Sequence, residues 1–274
     1  MHRNFEKRIN PSELLENAQS IIVVGLNYNV REKLEYNRSP QTAKIASYAC
    51  YEDYHTFIKK LLHELADFIS TQAKQNLHFK ICVDSVPLAE RALALKAGLG
   101  FIGKNHMIIN QELGCKLFLG EIITDLKLEP DSQSRLRYIA SDKLSLCSKC
   151  NKCIKVCPTG ALRPDGFLDA SRCFNYLTIE YKDEIPDELA EKIGDRLFGC
   201  EECINICPYQ KNAPVCKNKK FSFHPDRAQI NPQEILAMNE ELFEQKFYDS
   251  VVLRTGIENL KRNARICNAN RISS

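Results

Sequence analysis

The sequence predicts a mixed α/β layer over roughly residues 1–125, then a cysteine-rich segment and a C-terminal helical stretch. Three observations predict it. Short apolar, β-branched runs alternate with helix-period runs in the first half, the pattern of strands and helices stacked in layers. Eight of the thirteen cysteines fall in the 61 residues from Cys147 to Cys207. Apolar residues return at helical spacing between residues 233 and 270.

The elements follow in order. Residues 21–26 (Ile-Ile-Val-Val-Gly-Leu) read as a buried strand. Residues 54–75 read as a helix, because Phe57, Leu61, Leu65 and Phe68 recur at spacings of three and four while Lys59, Lys60 and Glu64 fall off that stripe. Residues 79–83 read as a second strand. Pro87 suits the first turn of a following helix, and Gly98 suits its C-terminal cap. Residues 116–123 read as a further strand, and the polar stretch 126–146 as a linker or surface excursion. Residues 211–232 are basic and loop-like; beyond them Ile235, Leu236, Met238, Leu242 and Phe247 make an amphipathic helical pattern.

Composition sets limits. The chain has 274 residues, 44% hydrophobic and 27% charged, and the formal charge of +3 is too small to announce a nucleic-acid binder or to exclude one. No apolar run approaches the roughly 20 residues that span a bilayer. The stretch Met1–Arg8 lacks the apolar core of a signal peptide. A cytoplasmic protein without membrane attachment is expected. In that reducing compartment a disulfide framework is disfavoured, and clustered thiols point to metal.

The cysteine spacing is specific. Cys147, Cys150, Cys153 and Cys157, with Pro158, form C-x2-C-x2-C-x3-C-P, the ferredoxin pattern in which three thiolates hold one cubane and the fourth holds another. Cys200, Cys203 and Cys207, with Pro208, repeat it with one cysteine missing, and Cys173 lies between the runs to supply the absent ligand. Eight thiolates then serve two [4Fe–4S] clusters. The swap rule assigns Cys147, Cys150, Cys153 and Cys207 to the first, and Cys157, Cys173, Cys200 and Cys203 to the second. Paired structural zinc sites are the competing reading. They are disfavoured because C-x2-C-x2-C is crowded for zinc and no histidine occurs between residues 107 and 223. Cys50, Cys82, Cys115, Cys216 and Cys267 read as small buried hydrophobes.

Two further features carry alternatives. Gly98-Leu-Gly100-Phe-Ile-Gly103 matches the dinucleotide fingerprint, but a helix precedes it and a strand-like run follows, the reverse of what that site needs. Asp84 sits where a strand gives way to a helix, an edge at which α/β sheets bind ligands; its residue type favours helix capping there. Glu90 and Arg91 would pair or face solvent. Lys217, Lys219, Lys220, Lys261, Arg262, Arg265 and Arg271 would form either a phosphate-facing surface or a solvated face.

Several segments together resemble the epoxyqueuosine reductases, the cobalamin- and iron–sulfur-dependent enzymes of queuosine synthesis in tRNA. The marks are Val83-Asp-Ser-Val-Pro-Leu-Ala-Glu-Arg91, Ala97-Gly-Leu-Gly-Phe-Ile-Gly-Lys-Asn105, Phe118-Leu-Gly-Glu-Ile-Ile-Thr-Asp125, Cys157-Pro-Thr-Gly-Ala161, Cys173-Phe-Asn-Tyr-Leu-Thr-Ile-Glu180, and Gly199-Cys-Glu-Glu-Cys203 with Cys207-Pro208. The resemblance runs over nearly the whole chain. It implies a nitroreductase-like cobalamin-binding α/β domain over 1–135, a ferredoxin-like two-cluster domain over 136–212, and a C-terminal helical segment over 213–274 that begins a helical-repeat region. It implies that Asp84 is a proton donor, against the capping preference, and that Arg8, Asp84, Ile108, Leu119 and Asn175 fall where relatives contact cobalamin. It further implies an external low-potential electron donor, a tRNA anticodon loop carrying epoxyqueuosine as substrate, and a monomer. Relatives are expected to extend before Met1 and beyond Ser274, and many have arginine where Ser47 stands. Two alternatives stay open: a related cobalamin reductase of another substrate, and a two-cluster electron carrier without cobalamin.

Overall fold

The computed structural model describes residues 4–30, 41–130 and 147–272, so most of the excursion expected over 126–146 lies outside the described residues. In chain order the first elements are α1 (Phe5–Ile9), β1 (Ser20–Asn27), β2 (Ala43–Ile45), α2 (Tyr54–Ala73), β3 (Phe79–Cys82), α3 (Glu90–Lys96), β4 (Phe101–Ile102), β5 (Ile108–Ile109) and β6 (Leu117–Thr124). Then come α4 (Lys152–Val156), α5 (Asp187–Ile193), β7 (Arg196–Phe198), α6 (Glu202–Asn205), α7 (Pro208–Lys211), β8 (Gln229–Ile230), α8 (Pro232–Ala237), α9 (Glu240–Phe247) and α10 (Ile257–Ile272). They fall into two compact units: Met1–Asn27 with Tyr54–Cys150, and Tyr28–Asp53 with Asn151–Ser274.

The first unit is built on an antiparallel sheet in the order β1-β6-β3, with Ser20 and Phe79 both opposite Thr124. The central strand β6 is almost wholly buried, which its continuous apolar run Leu-Phe-Leu-Gly-Glu-Ile-Ile requires. Its side chains alternate between two faces. Gly120 lies under Ile58 and Leu62 of α2, while Leu117 and Ile123 pack with Ala94, Ile108, Cys82 and Leu88 on the α3 side. The lone charge in that run, Glu121, is therefore carried into the α3 side of the layer and is 0% exposed.

Three expected features take another form in the structure, and the glycine run takes the expected one. The strand at 21–26 is only partly buried, because β1 lies at the edge of its sheet. The buried stripe of α2 runs through Ile58, Leu62 and Ala66, and Phe68 is exposed; with apolar residues at both 57–58 and 61–62, spacing alone leaves the face ambiguous by one residue. The helix after Pro87 starts three residues later, at Glu90, and Val83 to Pro87 form bends instead; Gly98 does end it, with φ +75°. The glycine run 98–103 leads into the β4–β5 hairpin, where a Cβ on Gly100 would come within 2.2 Å of the Ile109 carbonyl oxygen. Close backbone approach in the hairpin explains that glycine without a nucleotide.

The second unit holds a mixed sheet in the order β7-β2-β8, parallel between β2 and β7 and antiparallel between β2 and β8. The helical pattern expected over 233–270 is three separate helices, interrupted at Met238–Asn239 and over residues 248–256. Asn239 caps α9 by accepting from the Leu242 amide, and Leu242 itself is half exposed while Phe243 and Phe247 form the core face. Arg262 is 5% exposed and points inward, donating to the carbonyls of Leu177, Tyr181 and Asp183, so it is no part of a phosphate-facing surface. Its neighbour Asn263 donates to Thr178 and Leu197 carbonyls. Together they bind α10 to the π-helical turn at Tyr176–Glu180. No helix among the described residues is long and apolar enough to cross a membrane.

Candidate functional site

Asp84 follows the last residue pair of β3 in a left-handed conformation, φ +52°, that aspartate tolerates better than most residues. It does not cap α3, whose N-cap residue is Ala89 with no side-chain cap bond. Instead its carboxylate is 51% exposed and turned toward the start of α2. Tyr54 donates its hydroxyl to Oδ2 at 3.0 Å, and His55 Nε2 lies 3.3 Å from the same oxygen. His55 is buried, and the Tyr54 ring is stacked on both the His55 ring and Phe118, at 4.0 and 4.1 Å, which fixes where the hydroxyl points.

Behind Asp84 lie more carboxyls. Glu90 curls back from the first residue of α3, and its Oε1 accepts the Asp84 amide at 2.6 Å. Arg91 is exposed, as expected, and donates to the His106 carbonyl; Glu90 is half-buried and faces the Asp84 loop instead of solvent. Burial pushes the Glu90 carboxyl up to about 7. Burial, with the charges of Glu90 and Asp84 added, pushes Glu121 up to about 9, and both its oxygens are buried without a hydrogen-bond partner among the described residues. A neutral carboxylic acid in the sheet is the consequence at neutral pH.

The other cobalamin-contact expectations fall in different settings. Arg8 lies in the last turn of α1, and its Nε is buried with no partner among the described residues. Leu119 is half-buried against the cluster of Ala94, Ile108 and Leu117, and the Ile108 side chain is 1% exposed inside that cluster. Asn175 belongs to the second unit, where its Oδ1 accepts from Cys200 N at 2.9 Å and its Nδ2 donates to Cys200 O at 3.2 Å.

The cysteines are distributed over both units. Cys147 and Cys150, in the first, sit on a turn closed by Cys150 N donating to Cys147 O at 3.0 Å; Lys104 Nζ donates to the carbonyls of Ser148 and Cys150. In the second unit α4 carries Cys153, α6 carries Cys203, and the two helices pack together. Cys157 ends α4 in extended backbone, as its following proline demands, whereas Pro208 opens a new helix, α7, directly after Cys207. The Cys203 thiol feels Cys200, Cys173, Cys153 and Cys157: burial pushes it up and each of these neighbours adds to the shift. Burial likewise pushes up Cys173 and Cys200. Three half-buried thiols, Cys173, Cys200 and Cys203, that resist ionising beside one another fit a positive iron core, which draws off thiol protons on binding. Around a cubane each thiolate has its own iron. The sulfurs then stand further apart than about one ion, and among the described residues no three His, Cys, Asp or Glu side chains converge on a single-ion site.

The loop from Gly199 to Cys203 is tightly held. Gly199 has φ +74°, its amide donates to Thr178 Oγ1 at 2.9 Å, and a Cβ there would stand 2.7 Å from Ala46 Cβ. Glu201 is 8% exposed and receives both the Ser47 amide, at 2.6 Å, and the Ser47 hydroxyl, at 2.8 Å. Ser47 thus anchors the residue next to Cys200 where an arginine was expected. Sequence reasoning missed Tyr54, His55, Glu90 and Glu121. The one signal available was the isolated charge of Glu121 in an apolar strand.

Residues 8–85 match the family described as Epoxyqueuosine reductase QueG, and residues 146–210 match a 4Fe-4S double cluster binding domain. An epoxyqueuosine reductase from Cyclobacterium marinum is 36% identical over 263 residues, covering 96% of this chain and 80% of the relative. A solved epoxyqueuosine reductase with a tRNA-Tyr epoxyqueuosine-modified tRNA stem loop superposes with TM-score 0.87 at 33% identity, covering 97% of this chain and 68% of that one. Another, from Bacillus subtilis with its aspartate-bearing catalytic loop swung out of the active site, gives TM-score 0.87 at 32% identity over 98% of this chain and 69% of its own.

Proposed function

The chain belongs to the epoxyqueuosine reductase family, and from that premise we propose that it reduces epoxyqueuosine to queuosine in tRNA with Asp84 as the proton donor. The observation that carries the chemistry is the Asp84 carboxyl, half exposed at a strand end and oriented by Tyr54 and His55. The reaction consumes two electrons and two protons: the epoxide C–O bonds break, a C=C bond forms, and the oxygen leaves as water, which a placed general acid assists.

We assign the eight cysteines from Cys147 to Cys207 as cluster ligands, the second cluster resting on Cys157, Cys173, Cys200 and Cys203. When bound, the clusters supply single electrons from an external low-potential donor and cobalamin supplies a strongly reducing metal centre. For cobalamin the supporting feature is Arg8, whose buried Nε–H has no acceptor among the described residues; the half-buried Leu119 on the α3 face would be a separate apolar contact. The nitroreductase-like reading of the first unit belongs to the same proposal.

The work of the side chains follows. Tyr54 and His55 donate to the Asp84 carboxylate after it has given up its proton, which lowers the cost of leaving it charged. The modified base must leave its stack to reach the half-exposed carboxyl, as bases do in enzymes that act on them.

The test is anaerobic single turnover on an epoxyqueuosine-modified tRNA stem loop, read by mass spectrometry of the nucleosides, with iron and cobalt counted in the same sample. Queuosine formed by cobalt- and iron-loaded protein supports the proposal. Full iron loading with cobalamin supplied but no cobalt retained and no turnover would make the chain an electron carrier. Cobalt and iron with no turnover would point to another substrate.

A further inference from the structure

The geometry points to Glu90 as a positioning residue that holds the Asp84 loop in its working conformation by accepting the Asp84 amide proton. This rests on the reading of Asp84 as the proton donor. The loop needs such a hold. Asp84 adopts φ +52°, a region L residues enter only when their surroundings fix them there. Within the loop the backbone closes on itself, Ser85 N to Val83 O at 2.5 Å and Leu88 N to Val86 O at 2.7 Å, and these bonds set local turns without fastening the loop to a helix. The Asp84 amide reaches further, 2.6 Å to Glu90 Oε1 at the start of α3. An ionised acceptor makes that bond short and strong. Tyr54 and His55 then orient the side chain, while Glu90 fixes the peptide that carries it.

The charges around Glu90 make the hold depend on pH. Burial raises its carboxyl most and the Asp84 charge in the loop adds to that, the Asp84 amide, His55 on α2 and Arg91 on α3 lower it, and the balance stands at about 7. Glu121 on β6, pushed up to about 9, is neutral there and adds no charge. Above about pH 7 Glu90 is a carboxylate and the hold is full; below it the protonated acid accepts more weakly and the loop loosens.

Two variants and two readouts test this on the full chain. Amide exchange across residues 83–89 is measured in anaerobically purified, iron-loaded protein, and single-turnover queuosine formation is followed from pH 5 to 9. Glu90→Ala is expected to speed exchange and slow turnover by about 10- to 100-fold, the value of one hydrogen bond to a charged acceptor. Glu90→Gln keeps an oxygen that accepts, more weakly than a carboxylate, and does not titrate; its exchange and rate should fall between native and Glu90→Ala, and the inflection near pH 7 on the acid side should be lost. Native exchange in Glu90→Ala overturns the hold, as does an unchanged acid inflection in Glu90→Gln. If exchange responds as expected while Asp84→Asn turns over at the native rate, the hold stands and the reading of Asp84 fails.

Discussion

The loop that carries Asp84 and the loops that carry Cys173 and Cys200 are held in opposite ways. Asp84 is half exposed, strained, and tied to the fold by single hydrogen bonds to Tyr54, His55 and Glu90. Cys200 has both its amide and its carbonyl bonded to Asn175, and its neighbours Gly199 and Glu201 are fixed by Thr178 and Ser47. Arg262 and Asn263 then brace the turn beneath with five hydrogen bonds to main-chain carbonyls. In the proposed reaction Asp84 would have to meet a large substrate and recover its proton, and a lightly held loop serves that role. A cluster ligand serves by not moving, since a rigid surround sets cofactor geometry.

That contrast can be broken most severely at Arg262. Arg262→Ala strips partners from one buried and two part-buried carbonyls and should cost about 2–4 kcal/mol, read as a lower denaturant midpoint with loss of iron. Asn175→Ala orphans only the Cys200 peptide; about 1–3 kcal/mol and a selective fall in iron content are expected, with the Asp84 loop unaffected. Iron content at the native level in both variants would mean the loops do not depend on this bracing.

The first unit answers to pH instead. Glu121 is raised from its ordinary value of 4.5 to about 9, so between those values the folded chain holds a proton the unfolded chain has lost. Its share of stability is therefore greatest in acid and falls as pH rises toward 9, by about 1.4 kcal/mol per pH unit at most. Glu121→Gln should flatten the decline of the denaturation midpoint between pH 5 and 9; an unchanged slope would show that Glu121 ionises normally. Tyr54→Phe is the mildest change. It removes one hydrogen bond to Asp84, and turnover should fall by about threefold to tenfold with stability nearly native.

The two regions also differed in how much of them the sequence revealed. The double-cluster domain matched over residues 146–210 was legible because spacing is the chemistry proposed for its cysteines: thiolates must recur every three residues for one cubane, and C-x2-C-x2-C-x3-C leaves few other uses. The strands at 79–82 and 117–124 were legible from apolar runs. The surroundings of Asp84 were not. Tyr54 and His55 lie some thirty residues earlier and meet it only because α2 packs over β6 beside β3. Glu90 looked like a surface charge until the late start of α3 turned it back on the loop. Arg262 looked like part of a basic face, and its inward turn depends on the carbonyls left over by a π-helical turn, a distortion no local pattern announces.

The most direct measurement is single-turnover conversion of epoxyqueuosine-modified tRNA by native protein and by Asp84→Asn, at equal iron and cobalt content. Asparagine tolerates the left-handed backbone, so stability should stay within about 0.5 kcal/mol of native, while queuosine formation falls about 100- to 10,000-fold, the range for losing a general acid. Native-rate turnover by the variant would contradict Asp84 as the proton donor.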